Sequence, residues 1–382
     1  MDSKKLFSEI ERLYPEYLDV LEDVVNIESP TNFKAGVDAV SNYFVNLAEK
    51  KGWKVERYPQ SVAGDVICVT MNADAKAAPI TLSGHLDTVH PVGLFVSPAA
   101  HRDEENMYGP GVLDCKGGVV ASFLAMDALD RCGFRARPVM HILQTDEETG
   151  SKTSGKDTVR YMCEKAKGSV AFLNTEANRE GFLVLSRKGI LRYEFTVHGV
   201  SAHSSLCTSG SNAIAEAAYK IIELEKMKDE DSITCNCGVI SGGTVANTVP
   251  DTCTFLADIR YVNESDRPLI DAKMKEVAEN NTVKGCTSEV RLVSDRPSME
   301  LCDRNLDLFE KVNEINRMVG LPELQSKLGS GGSDAAYVTI AGIPCIDCVG
   351  MQGGYWHSPK EYVKMRSLAY SAKLQAAIAC YI

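Results

Sequence analysis

Three short apolar runs each end in polar or ionisable side chains, and this pattern constrains the fold more than any other feature of the chain. Residues 79–86 close on His85 and Asp87, residues 139–145 on Asp146, Glu147 and Glu148, and residues 170–174 on Glu176. Helix-patterned stretches separate them, at 119–132 and around 158–167. Such alternation predicts an α/β sheet covered by helices on both faces. Apolar spacing also predicts helices over 4–25 and 37–50, with further strands at 53–58 and 65–71.

The rhythm changes near Gly181. Runs 182–186 and 190–198 read as paired strands, followed by a helix over 212–226, strands at 233–240 and 252–261, a helix near 271–280 and a strand at 289–293. This order predicts a small α+β module inserted into the larger domain. After Arg296 the first rhythm returns, with a helix at 306–319, a glycine-rich turn, a strand at 344–349 and a closing helix from about 362. The expected partition is therefore 1–184 and 296–382 for a catalytic domain, with 185–295 inserted. A length of 382 residues at ~150 per domain agrees with two or three domains.

Charge and cysteine content narrow the partners. A net charge of −11 argues against nucleic acid or an anionic membrane, both of which need a basic surface. No apolar run approaches the ~18 residues of a membrane span; residues 119–126 come nearest. Thirteen cysteines without an export-like N-terminal segment read as reduced thiols, hence a cytoplasmic protein.

Chemistry concentrates in a few polar residues. On a strand, His85 and Asp87 share a face, so the carboxylate can orient the imidazole; a plain strand-end hydrogen bond reads the same. Asp114 lies in the glycine-rich turn YGPGVLDCKGG, as a projecting carboxylate or an ordinary turn cap. Three consecutive acids at 146–148 repel one another unless something positive lies between them. The C-terminal edge of a parallel sheet is also where α/β proteins bind ligands. His357 follows in GGYWHSPKEYV. Together His85, Asp114, Glu148, Glu176 and His357 form a nitrogen and oxygen donor set suited to zinc, cobalt or manganese, and better matched to two ions sharing a carboxylate than to one. Glu147 would then be available to take a proton from water.

TLSGHLDTV, YGPGVLDCKGG, TDEETGS, NTEAN, GVSAHSS, GGSDAAYVTIAGIP and YWHSPKEYV occur in that order from about residue 80 to 365. The series resembles the signatures of the co-catalytic zinc exopeptidase and amidohydrolase family. That family takes in glutamate carboxypeptidases of the carboxypeptidase G type, aminoacylases, acetylornithine deacetylase and succinyl-diaminopimelate desuccinylase, and the wording is most similar to the first of these. The resemblance implies a zinc-exopeptidase-like mixed, mostly parallel sheet sandwiched by helices, with a ferredoxin-like lid or dimerisation domain. It implies two zinc ions per subunit, one on His85 and Glu176 and the other on Glu148 and His357, with Asp114 bridging. Glu147 becomes the general base and then the proton donor, and Asp87 supports His85. It further implies a cis peptide at Asp114–Cys115, where many relatives have Asp in place of Cys115.

From the lid, His203 would reach across a homodimer to stabilise an oxyanion. Asn247 and Arg260 would grip a substrate carboxylate. The turn at Gly331, Gly332 and Ser333 offers backbone N–H groups as a second cradle. The activity implied is a carboxypeptidase-type exopeptidase acting on a small peptide. An N-acyl-amino-acid deacylase or a di- or tripeptidase is the alternative, and a non-catalytic metal-binding protein a remoter one.

Other signals carry less. GSKTSGK at 150–156 nearly spells a phosphate loop, but Asp157 stands where the magnesium hydroxyl belongs. Cys345 with Cys348, and Cys235 with Cys237, read as buried thiols. Neither H-E-x-x-H nor G-x-S-x-G occurs.

Overall fold

The computed structural model describes residues 1–178, 180–228 and 232–382. The chain divides into two compact units. The first comprises Met1–Ser186, Leu301–Leu328 and Ser333–Ile382; the second comprises Arg187–Glu300 and Gly329–Gly332.

The first unit is built on a six-stranded sheet. Its order is Lys54–Tyr58, Val66–Met71, Val139–Gln144, Ile80–His85, Ala171–Asn174 and Cys345–Ile346. The first two junctions are antiparallel and the remaining three parallel. Every residue of the four middle strands is buried, which explains why they read as continuous apolar runs rather than alternating ones. Alternation along Ile80–His85 identifies the covering layers. Ser83 turns its hydroxyl toward Met162 of the helix Asp157–Ala166, whereas the neighbouring Gly84 abuts Val119 of the helix Gly117–Arg131. The latter helix packs with Ser3–Val25 and Arg366–Tyr381. Ser3–Val25 starts on an Asp2 cap and buries the stripe Leu6, Ile10, Leu13, Tyr17, Leu21 and Val24.

Three expectations are corrected here. Residues 182–186 do not pair with 190–198: the strand Phe182–Arg187 pairs with Gln325–Gly329, because only Lys188 separates it from the next strand and no hairpin can close. The strand expected at 344–349 shortens to Cys345–Ile346. The closing helix begins at Arg366, and Tyr362–Lys364 is instead a strand pairing with Asn106–Tyr108. Three residues are too few for periodicity to separate the two states.

The second unit carries an antiparallel sheet ordered Thr234–Gly242, Thr252–Tyr261, Gly189–His198, Thr287–Arg296. Helices Ala213–Leu224 and Arg267–Glu279 complete a β-α-β-β-α-β path, the ferredoxin-like arrangement. Burial alternates along Gly189–His198 and Thr252–Tyr261, so Leu191, Tyr193, Phe195, Phe255, Ala257 and Ile259 form a core of their own under the helices. No helix among the described residues is long and apolar enough to cross a membrane. None of the thirteen cysteines forms a disulfide.

His141 in the central strand is fully buried against Phe123, and neither ring nitrogen has a hydrogen-bond partner. Burial pushes its pKa down to about 3. Between there and the ordinary ~6.5, the unfolded chain binds a proton that the folded chain refuses, so stability falls as pH drops through this window. The expected loss from this residue between pH 7 and pH 5 is about 2 kcal/mol. Denaturant unfolding of the wild type and His141→Leu at both pH values checks it: the variant should lose less by that amount, and equal losses refute the assignment.

Candidate active site

Parallel alignment of three strands brings their C-terminal ends together. His85 pairs in register with Gln144, and Ser83 lies opposite Asn174, so His85, Glu147, Glu148 and Glu176 all emerge at one edge of the first unit. The Asp114 turn reaches the same edge because Gly118, at the start of the following helix, lies against the carbonyl of Thr175; a Cβ there would come within 1.9 Å of that oxygen. The Asp114–Cys115 peptide is cis. Lys116, next in sequence, is fully buried and donates to the carbonyls of Val24 and Ile27, tying the turn to the end of the first helix. Burial pushes its pKa down to about 7.

Asp114 stands between two imidazoles. Its Oδ1 lies 2.9 Å from His85 Nε2 and its Oδ2 lies 3.0 Å from His357 Nε2. Glu148 Oε2 is 3.2 Å from His357 Nε2, and Glu176 Oε1 is 3.7 Å from His85 Nε2. The five side chains thus fall into two groups about one carboxylate, with one imidazole and one glutamate on each side. His357 is half exposed and sits at φ 61°, a left-handed conformation uncommon outside glycine. His85 is buried.

Protonation follows from this crowding. Burial raises Glu148 and Glu176, and the nearby negative charge of Asp114 raises them further. Burial would raise Asp114 too, but hydrogen bonds from His357 and His85 hold it well below the usual carboxylate range. His357 is pushed up to about 10 by Asp114 and Glu148. Burial alone would lower His85; hydrogen bonds to Asp114 and Asp87, with the charge of Glu176, carry it well above its ordinary value. Negative charge is therefore in excess at this edge, and protons neutralise it where a cation would.

Asp87 does more than the sequence suggests. His85 Nδ1 lies 2.9 Å from the Asp87 carbonyl and 3.4 Å from its carboxylate, so the main chain is the nearer acceptor. The carboxylate is engaged elsewhere: it accepts the N–H groups of Glu147 and Glu148, both at 3.1 Å, and the Thr31 hydroxyl at 2.7 Å. Asp87 thus fixes the first imidazole through its main chain and the 147–148 backbone through its side chain. Cys115 is buried, its thiol raised by burial and directed at the Thr175 carbonyl at 3.4 Å.

The donor set suits a divalent ion. His85, Asp114 and Glu148 offer atoms within 4.8 Å of one another, and so do His85, Cys115 and Glu176. Mixed imidazole and carboxylate donors at an edge with excess negative charge match zinc, cobalt or manganese chemistry.

In the second unit, His203 pairs with Thr248, and the Ser204 N–H donates to the Asn247 carbonyl, which brings His203 and Asn247 together. His203 Nδ1 is engaged by Ser205, leaving Nε2 as the nitrogen able to meet a ligand. Arg260 is not with them. His203 and Asn247 lie past the Thr252 end of the strand Thr252–Tyr261, and Arg260 lies at the other end, roughly 26 Å along at ~3.3 Å per residue. There Arg260 donates to Asp258. Two neighbouring arginines belong to none of the sequence motifs. Arg296 shares with Arg260 the cross-strand partner Ile190, and Arg187 donates to the carbonyl of Gly331. Both are largely buried, and a charged residue inside an apolar strand end was the available signal. A Cβ on Gly332 would come 2.4 Å from Arg296 Cδ. Ser333, in the first unit, is buried; its hydroxyl accepts from Asn174 Nδ2 and from the Ala335 N–H.

A sheet-edge cluster of two imidazoles and three carboxylates, backed by a further buried glutamate, is a side-chain set that a metallohydrolase would use. The chain belongs to peptidase family M20/M25/M40, whose family model matches residues 81–380; these are metal-dependent hydrolases, and this chain is a metallo-exopeptidase. It is 27% identical over 360 residues to carboxypeptidase G2 of Pseudomonas sp. (strain RS-16), covering 93% of this chain and 86% of that one. A tripeptidase from Staphylococcus aureus subsp. aureus Mu50 superposes with a TM-score of 0.80 at 20% identity, over 96% of this chain and 98% of that one. The YXEP protein of Bacillus subtilis, described as a dinuclear metal-binding peptidase, superposes with a TM-score of 0.72 at 16% identity, over 97% and 98%.

Proposed function

We propose that the chain is a binuclear, carboxypeptidase-type exopeptidase acting on small peptides. The observation that carries this reading is Asp114 lying 2.9 and 3.0 Å from two imidazoles through its two separate oxygens, each side completed by one glutamate. His85 and Glu176 would hold one ion, His357 and Glu148 the other, and Asp114 both. Zinc is the first choice, with cobalt and manganese as substitutes. Bound there, the ions supply Lewis acidity that polarises a scissile carbonyl and acidifies water.

The chain's own residues do the rest. Glu147 takes the proton of the attacking water and returns it to the departing amine, while Asp87 keeps the 147–148 backbone in place. Arg260, with the buried Arg187 and Arg296 at its end of the sheet, supplies forked donors suited to a free C-terminal carboxylate, and the Gly332–Ser333 turn adds backbone N–H groups. The similarity to carboxypeptidase G2 supports that orientation. The inserted module, 185–295, acts as a lid and dimerisation domain. Arg260 and the His203–Asn247 pair lie too far apart in one copy to touch one small substrate, which supports a homodimer in which the partner subunit's His203 steadies the oxyanion. Free thiols throughout suit a cytoplasmic setting.

The test is a panel of dipeptides, tripeptides, their C-terminal amides and N-acyl amino acids, assayed with zinc, cobalt or manganese and with a chelator. The expected result is metal-dependent release of the C-terminal residue, lost on amidation. Cleavage of amidated peptides at equal rate would overturn the carboxypeptidase assignment, and preference for N-acyl amino acids would replace it with a deacylase.

A further inference from the structure

The Asp114 turn is braced from the far end of the chain. Glu361 is 1% exposed, and its carboxylate meets the turn's backbone on both oxygens. Oε1 accepts the N–H groups of Leu113 at 2.8 Å and Asp114 at 3.0 Å. Oε2 accepts the Gly111 N–H at 3.4 Å and lies 3.2 Å from His90 Nε2. The Glu361 main-chain carbonyl takes the Gly109 N–H at 3.2 Å. Beyond it, the strand Tyr362–Lys364 pairs with Asn106–Tyr108, and four residues before it stands His357. One buried carboxyl group therefore holds the backbone of Asp114 while its own short loop carries His357.

We infer that Glu361 is a positioning residue for the metal centre, fixing Asp114 with respect to His357; this rests on the binuclear reading above. An ionised carboxylate is the side chain that can satisfy three converging N–H donors, since it accepts on both oxygens and donates on neither. A glutamine of equal size presents an NH2 to one of those donors, so one contact must open and the turn can shift. Partners that orient metal ligands typically contribute 10- to 100-fold to metal affinity.

Isothermal titration of metal-free protein with Zn2+ tests this, using wild type, Glu361→Gln and a control. The control is Glu216→Gln in the second unit, where the Glu216 carboxylate is equally buried, accepts the N–H groups of Thr282 and Val283, and pairs with Lys220. Both variants should lose thermal stability. Only Glu361→Gln should lose affinity, by about 10- to 100-fold, with kcat lowered, KM within about threefold, and part of kcat restored by excess metal. Wild-type affinity in Glu361→Gln, or an equal loss in Glu216→Gln, overturns the assignment. If wild type itself binds no Zn2+, the metal reading falls and this inference with it. Should Glu361→Gln not fold, Glu361→Asp keeps the charge but draws the carboxylate back from the Leu113 and Asp114 N–H groups; it should weaken Zn2+ by about 10-fold, and unchanged affinity overturns the assignment.

Discussion

Glu147→Gln should lower kcat by about 10³-fold, roughly 4 kcal/mol in the barrier, while the protein keeps its full complement of metal. The argument is geometric. Glu147 is buried at the mouth of the central strand, and its own N–H and that of Glu148 are both held by Asp87, so the backbone that carries the side chain is fixed. It lies close enough to the donor cluster for its charge to raise both Glu148 and Glu176. It is nonetheless not one of the atoms that converge on an ion site. Glutamine keeps the volume and the backbone contacts but cannot accept a proton from water, so binding survives and proton transfer does not. KM should stay within a few-fold. Metal analysis together with steady-state kinetics decides the matter. A variant retaining a tenth of wild-type kcat, or one that loses metal, would remove Glu147 from the role of base.

Much of this site was legible because buried parallel strands leave few choices. A strand covered on both faces must be apolar along its length, so a polar side chain appearing at its C-terminal end stands out: His85, Glu147, Glu148 and Glu176 were each found that way. The inserted module was legible from its change of rhythm, since its two central strands alternate buried and mostly half-buried positions while those of the main sheet do not. What remained hidden was long-range. Nothing near Glu361 in sequence announces that it will accept the N–H groups of Leu113 and Asp114, some 250 residues away. The partner of Phe182–Arg187 proved to be Gln325–Gly329, a strand whose exposed, polar residues give no apolar pattern. Arg296 was used as a boundary marker, yet it is buried beside Gly332, and only the pairing through Ile190 sets it near Arg260. The two corrections at residues 344–349 and 362–364 share one cause: short segments take their state from whichever strand they lie beside.

If the proposed binuclear centre is right, Asp114→Asn should reduce bound metal from two ions to one per chain and lower kcat by about 10³-fold or more, because Lewis-acid assistance worth several kcal/mol would be weakened. The two carboxylate oxygens serve separate partners, Oδ1 toward His85 and Oδ2 toward His357. An asparagine can put oxygen on one side only; on the other its NH2 is a donor without a lone pair for a cation. The deeper side, with His85 buried and Glu176 beside it, should keep its ion. The side of the half-exposed His357 should lose its own. A second readout is independent of metal and of turnover. In the metal-free wild type His357 is pushed up to about 10, first by Asp114 and next by Glu148. Removing the Asp114 charge takes away the larger support for the protonated ring, so the His357 pKa should fall toward the ordinary imidazole range, and NMR titration of the metal-free variant follows it. A variant that still binds two ions with activity within tenfold of wild type would show that Asp114 does not bridge. An unmoved His357 titration would show that the carboxylate and the ring are not partners in solution.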